Sequence, residues 1–166
     1  MSEDIVRVTK VRPAGGRLLR VRFAGDRRDH KLDMTGLIAR SVHFAPLMGD
    51  AKSFAKVAIV EDGLGVAWPI QTRWGQLDVS ASTLRRIAEE QEPMTGADFA
   101  QWRTALGLSL TEAAQLLGVG RRTIMGYLKK DVLPPVVAIA CRALARDKSL
   151  LAAHYVPARK INRPAA

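Results

Sequence analysis

The chain has 166 residues and a formal net charge of +10, with 48% hydrophobic and 25% charged residues. This composition is typical of a folded globular protein and excludes an intrinsically disordered chain. One cysteine excludes intrachain disulfides and thiolate metal clusters, and the three histidines lack ligand spacing, so we expect no metal and no cofactor.

The basic residues are unevenly distributed along the chain. Residues 1–92 carry 15 Lys/Arg and 12 Asp/Glu, a net +3, whereas residues 93–166 carry 11 and 4, a net +7. Such an excess favours a polyanionic partner, because Lys and Arg that neutralise phosphates release counterions. No stretch approaches the ~20 apolar residues of a spanning helix. The N-terminus has acidic residues and no apolar signal core, so we expect a cytoplasmic protein without membrane attachment.

A β-hairpin is predicted at the start of the chain. Residues 5–12 alternate loosely, and the run 17–25 follows the turn signal Pro-Ala-Gly-Gly. In that run Leu19, Val21 and Phe23 alternate with arginines, which indicates a strand with one buried face. The arginines are interpreted as solvated cover, with nucleic-acid contact as the minor alternative.

Residues 30–70 predict a third strand, a short helix and a second hairpin. The strand covers 30–34, and the helix opens at Thr35. Residues 56–61 and 65–70 are predicted strands, and the dipeptide Asp62-Gly63 between them suits a tight hairpin turn. We expect the pair Trp68-Pro69 to end the second strand, since proline lacks a backbone donor.

A helix is predicted from about Ser80, with Leu84, Ile87 and Ala88 directed inward. Trp68 is expected in the core. Trp74 is placed in a polar loop before this helix, as the better candidate for an exposed contact.

Residues 5–90 resemble a bacterial family known as domain of unknown function 2442. The matching features are the strand LLRVRFAG, the run FAPLMGDAKSFAKV, and Trp68-Pro69 followed by Leu77-Asp78 and Leu84. The resemblance implies a small β-sheet domain with short helices. Members can occur beside small partner proteins in a toxin and antitoxin arrangement, which implies partner binding or dimerisation.

A domain boundary is predicted in the polar stretch EEQEP, because Pro93 disfavours helix at the residue before it. The two predicted domains are 1–92, an α+β domain, and 93–166, an all-α bundle. Thr95 and Asp98 have capping-box spacing at the start of a helix whose expected core residues are Phe99, Trp102 and Leu106.

Residues 107–131 predict two short helices joined by a tight turn. Ser109 and Glu112 form a second capping-box pattern, and Ala114 is small enough for a close helix crossing. Gly118 suits a left-handed C-cap. The second helix is predicted over 121–129.

At about 100° per residue, this second helix has one core arc and one presented arc. The core arc holds Ile124, Tyr127 and Leu128. The presented arc of roughly 140° holds Arg121, Arg122, Met125, Gly126 and Lys129.

The stretch 95–147 resembles the helix-turn-helix of the Cro and phage-repressor (Xre) family. The matching positions are Ala114, Gly118, Val119, Ile124 and Tyr127. The resemblance implies that the second helix lies in the DNA major groove. Leu110, Gly120, Met125 and Gly126 depart from residues often found in the family, namely a phosphate-binding Gln, a capping Ser and hydrogen-bonding side chains.

The predicted partner is therefore double-stranded DNA. Arg121 and Arg122 are expected on base edges, since arginine to guanine is the commonest specific contact, and Thr123 could serve bases or phosphates. Met125 and Gly126 belong to the same presented surface. Phosphate contacts are expected from Lys129 and Lys130 and from a basic C-terminal tail with Arg159, Lys160 and Arg163.

A last helix is predicted after Pro134-Pro135, over VVAIACRALAR. It is apolar on nearly all sides, more than a small bundle can cover, so the N-terminal domain or a second subunit should cover it. Cys141 is expected to be a small buried hydrophobe. A homodimer is expected because helix-turn-helix proteins usually bind symmetric sites in pairs.

These patterns favour a sequence-specific DNA-binding protein, a transcriptional regulator without enzymatic activity. No nucleophile with its base, no paired carboxylates in a cleft and no phosphate loop can be recognised. The alternative is a protein-interaction module such as an antitoxin, with secondary or lost DNA binding, and Leu110, Met125 and Gly126 favour it.

Overall fold

The computed structural model describes residues 5–158 and confirms the predicted α+β class. The chain divides into two units, Met1–Gln91 and Glu92–Ala166, which we call unit 1 and unit 2. Unit 1 contains two small antiparallel sheets with short helices, and the elements of unit 2 are helices. None of the described helices has the length and apolarity needed to cross a bilayer.

The first sheet of unit 1 has the order β1-β2-β3. Its strands are β1 (Val8–Pro13), β2 (Leu18–Phe23) and β3 (His30–Asp33), so the predicted hairpin and third strand are confirmed. Leu19, Val21 and Phe23 are fully buried on one face of β2, and Arg20 is exposed on the other. The alternation of apolar residues and arginines in the sequence therefore determines which face of this sheet is buried.

Short helices cover the core between the two sheets. They are α1 (Thr35–Arg40), a 3₁₀ helix (Val42–Leu47) and α2 (Ala51–Phe54). Asp50 caps α2 by accepting a hydrogen bond from the Ser53 backbone N–H at 2.9 Å. Phe54 is buried, and its carbonyl accepts from the indole N–H of the buried Trp68 at 2.8 Å.

The second sheet corrects the predicted tight turn. Its strands are β4 (Ala58–Val60), β5 (Gly65–Thr72) and β6 (Gly75–Ser80). The residue pair next to the β4–β5 connection is Val60 with Gly65, so four residues connect the strands, whereas the predicted strand ends leave three. Glu61 and Asp62 take φ of 50° and 52°. A Cβ on Gly63 would lie 2.5 Å from the carbonyl oxygen of Val8, so packing against β1 determines this wider connection.

The prediction that Trp68-Pro69 ends its strand is also wrong. β5 continues to Thr72 and pairs with β6, which was not predicted. The pairing is irregular between Ala67 and Gln71, and this irregularity accommodates the proline, which has no ladder donor. Trp74 lies in the β5–β6 turn rather than in a long loop, and it is exposed as expected.

The last helix of unit 1 is α3 (Ala81–Gln91). Its first turn is capped by Ser80, whose hydroxyl accepts from the Thr83 backbone N–H at 3.2 Å. Leu84 and Ala88 are buried and Ile87 packs against the same core, as predicted.

Unit 2 consists of α4 (Gly96–Ala105), α5 (Leu110–Leu116), α6 (Arg121–Tyr127), α7 (Pro135–Arg146) and α8 (Lys148–His154). Phe99, Ile124 and Cys141 are fully buried in its core, so the interpretation of Cys141 is confirmed. Two predictions need correction: α6 ends at Tyr127 rather than Lys129, and α8 was not predicted.

Candidate nucleic-acid interface

Both predicted capping boxes form in unit 2. Thr95 and Asp98 cap α4, and Ser109 and Glu112 cap α5. The Ser109 hydroxyl accepts from the Glu112 backbone N–H at 3.2 Å, and the Glu112 carboxylate accepts from the Ser109 N–H at 2.8 Å. The start of the first helix of the pair is thus fixed by local hydrogen bonds.

The turn between α5 and α6 is a Schellman motif. Gly118 has φ +65°, its N–H donates to the Gln115 carbonyl at 3.2 Å, and the Val119 N–H donates to the Ala114 carbonyl at 2.9 Å. These are the two bonds that define the motif. Ala113 and Ala114 are buried. Backbone hydrogen bonds therefore hold the chain in the turn that follows α5.

The core side of α6 fixes its rotation about its own axis. Ile124 is its fully buried residue, and Tyr127 is partly buried against the same core. The Tyr127 ring meets the Phe99 ring of α4 edge-on, with ring centroids 5.8 Å apart. A helix held by these two residues presents its opposite side to solvent.

The C-terminal end of α6 is tied to the beginning of unit 2. The Gly96 N–H donates to the Lys130 carbonyl at 2.8 Å, and the Leu133 N–H donates to the Met94 carbonyl at 2.8 Å. The fit is close, because a Cβ on Gly96 would lie 2.6 Å from the carbonyl oxygen of Leu128. This contact was not predicted, since it depends on residues more than thirty positions apart.

Five of the predicted DNA-binding residues lie on α6. All five are exposed, namely Arg121, Arg122, Thr123, Met125 and Gly126. Lys129 and Lys130 are also exposed, but they lie in the turn after the helix. Their N–H groups donate to Gly126 and Tyr127, three residues back, and these shorter bonds close the last turn. All seven predicted residues thus occupy one continuous segment.

The positive charges of this segment have no ion-pair partner within the described part of the chain; they are Arg121, Arg122, Lys129 and Lys130. Unit 1 differs. Arg12 and Arg22 pair with Asp29 at 2.9 and 2.7 Å, and Arg85 pairs with Asp26 at 2.9 Å. The cations at α6 remain available to an external anion.

One face of α7 is apolar and exposed. Val136 is 71% and Ile139 59% exposed, and Val132 just before the helix is 57% exposed. The opposite face, with Val137, Cys141 and other residues, is buried in the unit 2 core. The predicted excess of apolar surface on this helix is therefore present.

The described chain ends beside α5. The Tyr155 hydroxyl donates to the Glu112 carboxylate at 2.6 Å, and the Ala158 N–H donates to the same oxygen at 3.2 Å. Hydrogen bonds from Ser109, and then from Tyr155 and Ala158, lower the pKa of Glu112 from 4.5 to about 2. The sequence contained no signal for this contact. The predicted phosphate-binding tail, residues 159–166, lies outside the described residues.

Comparison with known proteins gives little further information. No family model and no curated protein matches the chain. Among solved structures, the crystal structure of a putative DNA binding protein from Nitrosomonas europaea is similar, with 23% identity, a TM-score of 0.42 and coverage of 96% of each chain. A likeness this distant carries no conclusion about the fold or function of the present chain.

Proposed function

We propose that the chain is a DNA-binding transcriptional regulator without enzymatic activity, and that α6 enters the major groove. The observation that carries the proposal is the presented side of α6. It holds the exposed Arg121 and Arg122, which have no ion-pair partner among the described residues, on a short helix whose rotation and C-terminal end are fixed by the contacts described above. Duplex DNA is the polyanion whose major groove admits a helix of this kind.

The residues of the segment divide by chemistry. Arg121 and Arg122 can each make a bidentate contact to guanine, and Thr123 can bond a base or a phosphate. Met125 offers an apolar contact, such as that with a thymine methyl group. Gly126 lets the helix backbone approach the groove, because it has no side chain and nothing lies within 4 Å of the position of a Cβ. Lys129 and Lys130 would contact phosphates.

Self-association belongs to the same proposal. One helix-turn-helix makes few base contacts, and a two-fold pair binds two half-sites about one helical turn apart. The exposed Val136 and Ile139 on α7 support this part, because burial of an exposed apolar face in an interface removes it from water and is favourable. Sedimentation of the chain with and without DNA tests it, and a strict monomer in both conditions would remove it.

The central experiment compares two kinds of substitution in the full chain, with DNA from upstream of its own gene as the probe. Arg121→Ala or Arg122→Ala should cost about 1–3 kcal/mol at the cognate site and relax discrimination at one base pair. Lys130→Ala should weaken binding to all sequences alike and lower the salt slope by about one unit. Alanine is compatible with helix and turn at these positions, so folding is retained.

A uniform loss on every DNA tested, for the arginine variants as for the lysine variant, would contradict sequence reading by α6. Absence of any salt-dependent binding by the wild-type chain would reject DNA binding altogether.

The second candidate function is partner binding by unit 1, as in an antitoxin. The observation that favours it is Trp74, which is 53% exposed at a hairpin tip. The Arg73 guanidinium lies 4.1 Å from the centre of its ring, and the centroid of the His43 ring lies 5.8 Å from that of Trp74, with the ring planes inclined at 68°. Exposed Trp and Arg often dominate protein interfaces. Co-purification with the product of an adjacent gene, lost on Trp74→Ala, would support this function.

A further inference from the structure

The outer face of the first sheet carries five basic side chains. Arg20 and Arg22 lie on the central strand β2, and the others lie on the two strands beside it, namely Lys10, Arg12 and Lys31. The opposite face of β2 is buried in the core of unit 1. We call these five side chains the basic face of unit 1.

The strand register arranges the basic face in two rows. In the first row Arg12 lies directly opposite Arg20, and Arg20 lies directly opposite Lys31. In the second row Lys10 lies opposite Arg22. The Cβ atoms of directly opposite residues are about 5 Å apart, and rows two residues apart along a strand are separated by about 7 Å. The basic face is therefore a compact array of cations.

Two carboxylates on the same side of the sheet compensate part of this charge. Asp29 accepts from Arg12 at 2.9 Å and from Arg22 at 2.7 Å, which fixes both guanidinium groups in position. Asp33, at the end of β3, accepts from the Thr35 N–H at 2.9 Å. Five cations and two carboxylates leave a net charge of +3 on this surface.

The first row of cations is unfavourable for the sheet itself. Arg20 has a cation opposite it on both sides, and like charges directly opposite each other are destabilising. Three exposed cations of the face make no ion pair and no side-chain hydrogen bond within the described part of the chain, namely Lys10, Arg20 and Lys31. Basic residues on edge strands can prevent pairing with other chains, but Arg20 lies on the central strand. Solvated cover, the interpretation from the sequence, therefore leaves the first row unexplained.

We propose that the basic face of unit 1 binds duplex DNA through the phosphates of its backbone, as a contact surface separate from α6. The inference rests on the proposed function for the identity of its ligand. Phosphates placed against the first row replace repulsion between cations by attraction, and arginine can contact phosphate oxygens in a bidentate manner. Contacts of this kind position a protein on DNA and carry no sequence information.

The composition of the face favours a duplex over other polyanions. A single strand is usually held by aromatic side chains on which its bases stack. In these strands Phe23 is buried and His30 lies opposite Val21, so both belong to the other face. A site on an anionic membrane usually adds apolar side chains that enter the bilayer. The large hydrophobic residues that are exposed in the described part of unit 1 lie outside strands β1 to β3. A duplex backbone requires only the cations.

The test measures binding of the full chain to a duplex of mixed sequence across a series of salt concentrations. The background is R121A/R122A, in which binding through α6 is weakened. R20Q/K31Q removes two charges from the first row, and R20K/K31R keeps both. R40Q/K52Q removes two exposed cations from α1 and α2 and is the matched control for the net charge of unit 1.

R20Q/K31Q should lower the salt slope by about 1.8, at about 0.9 per phosphate contact. Between 50 and 200 mM salt the background chain should then lose about tenfold more affinity than R20Q/K31Q. R20K/K31R should restore the slope, and R40Q/K52Q should leave it unchanged. The Tm of R20Q/K31Q should equal or exceed that of the background, because repulsion within the first row is relieved.

A salt slope that R20Q/K31Q does not lower, or that R40Q/K52Q lowers equally, would overturn the inference. So would a lower Tm of R20Q/K31Q, since the cations would then act through the fold. Stronger competition by a single strand of the same sequence would overturn duplex DNA as the ligand. Retention on phosphatidylserine vesicles that R20Q/K31Q abolishes would do the same.

The proposed function fails by a different result. If R121A/R122A in an otherwise wild-type chain leaves affinity for the upstream DNA unchanged, the role of α6 is rejected, whereas a slope lowered by R20Q/K31Q still supports the basic face. If R121A/R122A weakens that binding and R20Q/K31Q changes nothing, α6 retains its role and the inference is rejected.

Discussion

Gly96 is the residue whose substitution tests most directly how α6 is held. In Gly96→Ala the new methyl group would lie 2.6 Å from the carbonyl oxygen of Leu128 and 2.7 Å from the carbonyl oxygen of Tyr127. Both obstacles are backbone atoms at the end of α6, so no side-chain rotation relieves the clash. Either α4 or the end of α6 must move, and the hydrogen bond from the Gly96 N–H to Lys130 lengthens.

The cost follows from two opposing terms. Overpacking of a close-packed site costs typically about 1–3 kcal/mol. Alanine restricts the unfolded chain more than glycine does, which returns about 0.4–1 kcal/mol where the backbone is compatible. We therefore expect a net loss of about 1.3 kcal/mol in the free energy of unfolding of unit 2. For a unit of this size that corresponds to a fall in Tm of about 5–10 °C.

Gly126→Ala is the matched control, because it makes the same chemical change in the same unit. Gly126 lies within α6 and a Cβ there has nothing within 4 Å. Alanine should stabilise this helix by about 0.5–1 kcal/mol. Thermal unfolding gives the size of each effect, and amide hydrogen exchange assigns it to a unit, with the strands of unit 1 as internal reference. Equal stability of Gly96→Ala and the wild type, or the same sign for both variants, would refute the packing argument.

Three further predictions concern unit 2. Gly120→Ser should stabilise unit 2 by about 0.5–1 kcal/mol in urea unfolding. Gly120 is the N-cap of α6 with φ −71°, and a Cβ there would meet only the Thr123 hydroxyl, at 3.9 Å. A loss of stability would contradict this prediction. The pKa of Glu112 in the folded chain is about 2, below its ordinary value of 4.5, so the contribution of Glu112 to stability is present above pH 4.5 and is lost as pH falls toward 2. The stability of Glu112→Gln, which keeps the cap, should depend less on pH over this window. An acid-unfolding profile identical to that of the wild type would count against this prediction. Cys141 is buried, and burial raises the pKa of its thiol to about 12, so thiol reagents should react with it only when unit 2 unfolds locally or globally. Rapid labelling of the folded chain would contradict this prediction.

The local features of unit 2 could be predicted because their causes lie within a few residues. A capping box needs Ser109 and Glu112 three positions apart, and the Schellman turn needs Gly118 directly after the helix. The buried Ile124 and the exposed Met125 follow from helical spacing alone. At these positions sequence and structure agree because neighbouring residues determine the geometry.

The predictions were wrong or incomplete where contacts between distant residues, or patterns of only a few residues, determine the structure. β6 contributes only Leu77 and Val79 to the core, too short an alternation to distinguish a strand from a loop. α6 ends early because the N–H groups of Lys129 and Lys130 donate to carbonyls three residues back, and the Lys130 carbonyl then accepts from the Gly96 N–H, a bond that no local pattern contains. The contact between Tyr155 and Glu112 joins residues 43 positions apart and depends on the unpredicted α8. The start of α8 did have a local signal, the capping Asp147.

The buried and exposed positions of α6 are occupied by different residues, and this separation affects how the binding preference can change during evolution. Its fully buried residue is Ile124, and the neighbouring side chains at 121, 122, 123 and 125 are exposed. Substitutions at such exposed positions usually alter stability by no more than about 0.5 kcal/mol. Under the proposed function, the residues that read DNA can be exchanged almost independently of those that maintain the fold. A lineage, or a designer, could retarget this protein to a new operator by single steps, each of which leaves a folded molecule.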